Sequence, residues 1–246
     1  MTTAERGTGP EYRGLVRTEG LAGFVVRVAQ TDLFIRAERD LTAEAYDLAA
    51  RGRGQIETWA KERPEFLTSL TPLPDAPLAL SPVREMLEAG RHAGLGPMAA
   101  VAGAIAEFVG LGLRSHSPAG VIVENGGDIF ISAKTQIKVG LFTGLPAVSM
   151  RLGLVIDPDM TPVGVCTSSG TIGHSLSLGR ADAATVVAES AALADAAATG
   201  LGNRVRKPEE LEPALEWAVS LQGVRGAAVV LGDKVGLLGD LNLVSL

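Results

Sequence analysis

The sequence predicts an α+β protein in which antiparallel hairpins and helices occupy separate stretches of one chain. Three observations carry that expectation. Apolar residues alternate in the manner of strands over residues 11–39, then fall at helical spacing from Leu41 onward. Glycine and proline punctuate the chain where the period changes. The order of the first half, two strands, two helices and two strands, returns in the second half with no residue-level self-similarity behind it.

Phe24, Val26 and Val28 share one face of a strand, and Leu33 and Ile35 follow the turn residues 30–32, which predicts a hairpin. Leu41, Ala45, Leu48, Ile56 and Trp59 mark a helical stripe weakened by Gly52 and Gly54. The proline-rich stretch 64–80 reads as a loop. Ser81 as N-cap and Pro82 in the first helical position then open a helix. Gly94-Leu95-Gly96-Pro97 separates it from an apolar helix ending near Arg114. Residues 94–113 are long enough to span a bilayer. Glu107 and the weak transfer energy of Gly and Ala mark them instead as a buried core helix.

Strands are expected over 120–131, interrupted at Asn125-Gly126-Gly127-Asp128, and over 137–142, 150–156, 163–167 and 185–188. An alanine-rich helix follows over 190–201. Pro213 sits in the first turn of another, lined by Leu215, Ala218 and Val219 and capped by Gly223. Residues 227–231 and 235–246 close the chain as strands. The expected organisation is one domain over 1–246, with 1–10 a disordered tail and 11–142 and 148–246 structural repeats.

Composition excludes several function classes. Hydrophobic residues make up 46% of the chain and charged residues 20%, so a core is available and disorder is excluded for most of the length. Aromatics are only 4% against 30 glycines, so the core is built from small side chains in close contact, which suits backbone-lined ligand sites. A net charge of −6 without any basic run argues against a nucleic-acid partner. One cysteine, Cys166, and three scattered histidines provide neither an internal disulfide nor a zinc spacing. Residues 1–10 are polar and lack the apolar stretch of a signal peptide, so a reducing cytoplasm is the expected compartment.

Three motifs can carry chemistry. In Ala194-Asp195-Ala196-Ala197-Ala198-Thr199-Gly200 the carboxylate and the hydroxyl lie four apart on one helix face, as hard oxygen ligands suited to Mg²⁺. The same residues also read as a core helix whose polar groups bond locally. Asn125, Gly126, Gly127 and Asp128 let a backbone approach a ligand closely, or simply turn a hairpin. The stretch from Cys166 through Thr167, Ser168, Ser169 and Gly170 to Gly173, His174 and Ser175 can cradle phosphate, with His174 beside it as a proton carrier, or form a polar loop. His92 and His116 read as surface or helix-end residues.

Taken in order, residues 103–107, 125–128, 167–170 and 194–199 resemble the motifs of the ApbE-like superfamily, over about residues 96–202. Its best-known members are FAD:protein FMN transferases, which use Mg²⁺ to move FMN onto a threonine of a target protein. The match is closer to a short cytoplasmic branch of that superfamily. The resemblance implies a T-fold of two β2α2β2 repeats with the ligand between them, Asp195 and Thr199 on the metal, and a backbone carbonyl near Ala99 as a further candidate. Three positions depart from the transferase pattern. Ala102 stands where the transferases carry lysine, Glu107 where they carry aspartate, and His174 lies closer to the Thr-Ser-Gly loop than theirs does.

The resulting expectation is a Mg²⁺-dependent site for FAD or a related nucleotide. Asn125, Gly126, Gly127, Asp128, Thr167, Ser168, Ser169 and Gly170 would contact the ligand, and His174 would move the proton. A protein acceptor and a homo-oligomer are the expected further partners, with no nucleic acid and no membrane. The rival readings are a binding protein that has lost transfer chemistry and a structural subunit with no ligand.

Overall fold

Thr31, Leu33, Ile35 and Ala37 are the buried members of one strand, and the residues between them are only half-buried, as expected for an element that turns one face to a core. The computed structural model describes residues 20–140, 152–169 and 179–245. Its elements in chain order are β1 (Ala22–Val28), β2 (Thr31–Ala37), α1 (Thr42–Glu62), α2 (Glu65–Thr68), α3 (Val83–Ala93), α4 (Val101–Leu113), β3 (Gly120–Asn125), β4 (Asp128–Ala133), β5 (Ile137–Gly140), β6 (Leu152–Ile156), β7 (Val163–Ser168), β8 (Ala183–Ala188), α5 (Ala191–Arg204), α6 (Leu211–Ser220), β9 (Val224–Leu231), β10 (Lys234–Gly239) and β11 (Asn242–Ser245).

Eight of the strands form one antiparallel sheet in the order β1-β2-β3-β4-β7-β8-β9-β10. Each half of that sheet is two hairpins with helices between them: α1 to α4 in the first half, α5 and α6 in the second. The halves join where β4 pairs with β7, with Asp128 opposite Cys166. The helices cover one face. A second sheet, β11-β6-β5, shares an apolar cluster with the other face, built from Ile122, Ile129, Ile131, Ile137, Leu154, Ile156, Val163 and Val165. Central strands buried on both faces explain why β3, β4 and β7 read as apolar runs rather than as alternations.

The apolar stretch before Arg114 is a core helix. A 3-10 turn at Pro97–Ala100 leads into α4, which packs on β3, β4, α1 and α5 and buries Gly103, Ala104, Ile105, Ala106, Val109, Gly110 and Leu113. The absence of side chains lets elements approach closely here. A Cβ on Gly110 would lie 2.1 Å from the Phe130 ring, and one on Gly52 of α1 would lie 3.0 Å from the Phe108 ring. Gly52 therefore serves helix packing and does not weaken the stripe.

Several boundaries differ from the sequence reading. Ser81 does not cap α3: Pro82 is the cap residue, follows a cis peptide, and no side-chain cap bond forms. The stretch 64–80 contains one helical turn, α2, because Phe66 finds a place in the core. Residues 137–140 do not extend β4 but cross to the second sheet as β5. The last predicted strand is broken at Gly239, whose φ is 93°, so that β10 and β11 belong to different sheets. Helix α6 ends at Ser220 with Leu221 as its cap residue, and Gly223 lies in the turn that follows.

Candidate functional site

The hairpin between β3 and β4 is closed by Gly126 and Gly127, with φ of 68° and 112°, so Asn125 and Asp128 face each other across a two-residue turn. This tip lies at the same end of the sheet as the last residues of β7, and the Thr167 N–H donates to the Gly127 carbonyl at 3.3 Å. The start of α4 and the first turns of α5 stand over the same point. The Asn125 Nδ2 amide donates to the Ala102 carbonyl at 3.1 Å, and the Gly103 N–H donates to Asp195 Oδ2 at 2.9 Å. The two hydrogen bonds tie the hairpin tip and α5 to opposite sides of one α4 peptide unit.

Glycine at 103 and 164 is what allows this convergence. A Cβ on Gly103 would sit 2.1 Å from the Ala191 carbonyl oxygen and 2.8 Å from Asp195 Cβ. On Gly164 of β7 it would sit 2.3 Å from Ala191 Cα. Helix α5 is accordingly enclosed: among residues 191–202 every residue except Asp195 and Thr199 is buried. These two are half-buried on one face, so they open toward the cleft while the alanines around them pack inward.

Electrostatics sets the cleft apart from the rest of the protein. Burial raises the Asp195 carboxyl to about 7, against the opposing pull of the Gly103 and Ala102 amides. Burial also pushes Asp128 well above the usual carboxylate range, and the charge of Asp195 adds to the shift. Burial and the two neighbouring carboxylates raise the Cys166 thiol, which keeps it protonated. Its Sγ donates to the Ala191 carbonyl at 3.4 Å.

The sequence-predicted residues divide into three groups. Asn125, Gly126, Gly127, Asp128 and Asp195 come together at the cleft, with Thr199 one turn along α5. Ser168 lies on the α5 side of the sheet: a Cβ on Gly202 would be 3.8 Å from its hydroxyl. Thr167 is on the opposite face by strand alternation, and its hydroxyl is hydrogen-bonded to Thr185 Oγ1 at 2.9 Å. Ser169 ends the described part of that loop, and Gly170 and His174 lie outside the described residues. Sequence reasoning placed residues 102–107 and Cys166 within or beside the motifs, but missed that the Ala102–Gly103 peptide bonds Asn125 and Asp195, that Cys166 bonds the Ala191 carbonyl, and that Glu107 bonds the start of α5. The carbonyl touched by Asn125 is that of Ala102, three residues beyond Ala99.

The donor set fits a hard divalent cation. Asp195 and Thr199 supply a carboxylate and a hydroxyl from one face, and Asp128 adds a second carboxyl nearby. Among the described residues no group of three or more His, Cys, Asp or Glu side chains forms a closed metal cage. A cation on such a two-ligand face would need phosphates and water to complete its coordination.

An antiparallel eight-stranded sheet of two ββ–helices–ββ halves, with this cleft at their junction, defines an ApbE-like protein. The fold is shared with the apo form of the flavinyl transferase ApbE from Pseudomonas stutzeri, at a TM-score of 0.55 and 14% identity over 89% of this chain and 94% of that one. It is shared also with the apbe protein from Thermotoga maritima, at a TM-score of 0.54 and 12% identity over 88% and 96%. The chain belongs to the AbpE bacteria family, whose model matches residues 13–235. A UPF0280 protein of Methanococcus aeolicus is 38% identical over 221 residues, covering 88% of this chain and 89% of that protein. Another, from Methanothermobacter thermautotrophicus, is 42% identical over 195 residues, covering 77% and 75%.

Proposed function

We propose that this chain is a cytoplasmic, Mg²⁺-dependent flavin-nucleotide protein of the FMN-transferase type, with FAD or a close analogue held between the two halves. The observation that carries the reading is the half-buried pair Asp195 and Thr199 on an otherwise buried helix, facing a glycine-gated hairpin tip. Asp195 and Thr199 would hold the cation, with Asp128 beside them. The cation would neutralise the charge that develops on the pyrophosphate as it breaks. The peptide at Ala102 and Gly103, fixed by Asn125 and Asp195, would orient the phosphates through backbone groups.

In the transfer reaction a threonine hydroxyl of an acceptor protein forms a new O–P bond to the FMN phosphate, the pyrophosphate bond breaks, and AMP leaves. The hydroxyl proton passes to a base, for which His174 is the candidate. The direct test incubates the protein with FAD and Mg²⁺, with and without threonine-containing acceptor peptides. It measures binding by flavin fluorescence and the release of FMN or AMP. No flavin binding with any divalent cation sinks the reading.

A second reading is favoured by one residue. Ala102 stands where the resemblance places the transferases' lysine, and it offers the site backbone groups in place of a charged side chain. A protein that binds FAD with Mg²⁺ but releases no product would be a flavin-binding protein that keeps the pocket without the transfer chemistry.

A further inference from the structure

Among the described residues the large sheet ends at β10, and no described strand pairs with the free side of that strand. Strand β10 pairs with β9 through a two-residue turn at Gly232 and Asp233, with Leu231 opposite Lys234. Because the residues flanking such a turn exchange hydrogen bonds, Lys234, Gly236 and Leu238 direct their backbone groups at β9. Val235 and Leu237 direct theirs outward, as does the Gly239 N–H, while the Gly239 carbonyl accepts from the Leu241 N–H of its own chain at 3.1 Å. Natural edge strands are usually blunted by proline, bulges or several charges. Here the register with β9 is regular, there is no proline, and Lys234 is the one charged residue of the strand. Val235, Leu237 and Leu238 are 43%, 38% and 37% exposed.

Beside this edge lies a hollow of about 360 Å³ between α6 and β10, lined by Pro208, Leu211, Leu215, Gly236 and Leu238, with Glu212 and Lys234 at its rim.

We propose that β10 pairs antiparallel with β10 of a second copy of this chain, about a two-fold axis at Leu237, so that the two large sheets become one. That register satisfies three requirements together. Leu237 meets its own copy, and Val235 meets the partner's Gly239, so the outward backbone groups of Val235 and Leu237 on both strands gain partners, with the Gly239 carbonyl as a shared acceptor. Gly236 meets the partner's Leu238, which places a leucine side chain at the mouth of the hollow, next to a position with no side chain of its own. Lys234 meets the partner's Asp240, the exposed residue just past the strand, giving two opposite-charge pairs per dimer. A slip of one residue sets Asp233 against the partner's Asp240 and points the outward groups at filled ones. A slip of two separates Lys234 from Asp240. The self-complementarity of charge and shape selects a second copy over an unrelated partner. The edge lies three strands away from β7, so the dimer leaves the cleft at Asp195 open, and the inference does not rest on the proposed ligand.

The experiment is sedimentation equilibrium of the full chain from about 1 to 100 μM, a range that brackets common dimer affinities. The wild type is expected at twice the chain mass, and Leu237→Lys at the monomer mass with an unchanged circular-dichroism melt. Lys234→Asp alone should weaken the dimer by about tenfold or more, since two attractive pairs become repulsive. Lys234→Asp combined with Asp240→Lys should restore it, without dependence on whether Leu237→Lys folds. A monomeric wild type across the range overturns the proposal. So does a charge-swapped double variant that dimerises no better than the single one.

Discussion

Glu107 reaches from α4 to Ser190, the N-cap residue of α5, and completes the start of that helix from outside it. Its Oε2 accepts from Ser190 Oγ at 2.8 Å, from the Ala191 N–H at 2.8 Å and from the Ala192 N–H at 3.3 Å. Ser190 Oγ in turn accepts from the Leu193 N–H at 3.4 Å. The first half of the chain thus supplies the cap for the helix in the second half that carries Asp195 and Thr199. Burial raises the Glu107 carboxyl, while the three donors hold it down. Removing the group in Glu107→Ala leaves buried donors unpaired and should cost about 2–3 kcal/mol of stability in urea unfolding. Glu107→Gln keeps an acceptor oxygen and should lose less than half as much. Equal losses for the two variants would show that the side chain acts by filling space alone.

Gly103→Ala tests the convergence of α4, α5 and β7. The added methyl would meet the Ala191 carbonyl, which is backbone, and the Cβ of Asp195, so neither neighbour can rotate away. The helices must separate, at a cost of about 1–3 kcal/mol. Separation also moves the Gly103 N–H away from Asp195, so divalent-dependent ligand binding should fall in the same variant. Ala102→Gly, one residue earlier, removes a methyl and should leave binding within about twofold. A Gly103→Ala variant that binds normally would remove the peptide unit from the proposed site.

How far the sequence disclosed this arrangement differs from element to element. The hairpin tip was legible because Asn-Gly-Gly-Asp leaves few backbone options, and Gly126 and Gly127 do take positive φ. The pairing of Asp195 with Thr199 was legible because helical spacing fixes a shared face. Strand alternation, by contrast, separates Thr167 from Ser168, although both stood in one apparent phosphate loop. Glu107 read as a charge that disfavours membrane insertion and as a departure from the aspartate of the transferase pattern, not as a helix cap. Its partner at Ser190 lies 83 residues away, and no local pattern announces a contact at that range. The crossing of 137–140 to a second sheet was hidden for the same reason, since a short apolar strand carries no label for its neighbour.

Asp195→Asn and Thr199→Ala should separate binding from folding. Asparagine keeps an oxygen that accepts from the Gly103 N–H while removing the charge, and alanine suits the interior of α5. Melting temperatures should therefore stay close to the wild type at about pH 5.5, where the Asp195 carboxyl is largely protonated. Affinity for FAD in the presence of Mg²⁺ should fall by about tenfold or more for each variant, as expected for loss of one hard ligand. Titration calorimetry with and without EDTA is the measurement. Unchanged affinity in both variants would make the pair structural and move the ligand elsewhere.

The last prediction concerns pH. Burial pushes the Asp195 carboxyl up to about 7 in the folded protein, and burial together with the Asp195 charge raises Asp128 as well. An unfolded aspartate titrates near ~3.9, so between those values the folded chain binds more protons than the unfolded chain. The sign follows directly. The contribution of Asp195 to stability is complete below about pH 4 and is lost as pH rises through about 7, and raised Asp128 acts in the same direction. Without divalent cations the melting temperature should therefore fall between about pH 5.5 and 8, and Asp195→Asn should flatten that fall by removing one of the two charges. A divalent cation binds the ionised form and displaces the proton, so its affinity should rise over the same interval and its presence should offset the loss of stability. Thermal melts at several pH values, with EDTA or with Mg²⁺, read both effects. If the wild type and Asp195→Asn show the same pH profile in EDTA, the carboxyl of Asp195 is already ionised in the folded protein, and the cleft is more hydrated than its burial implies.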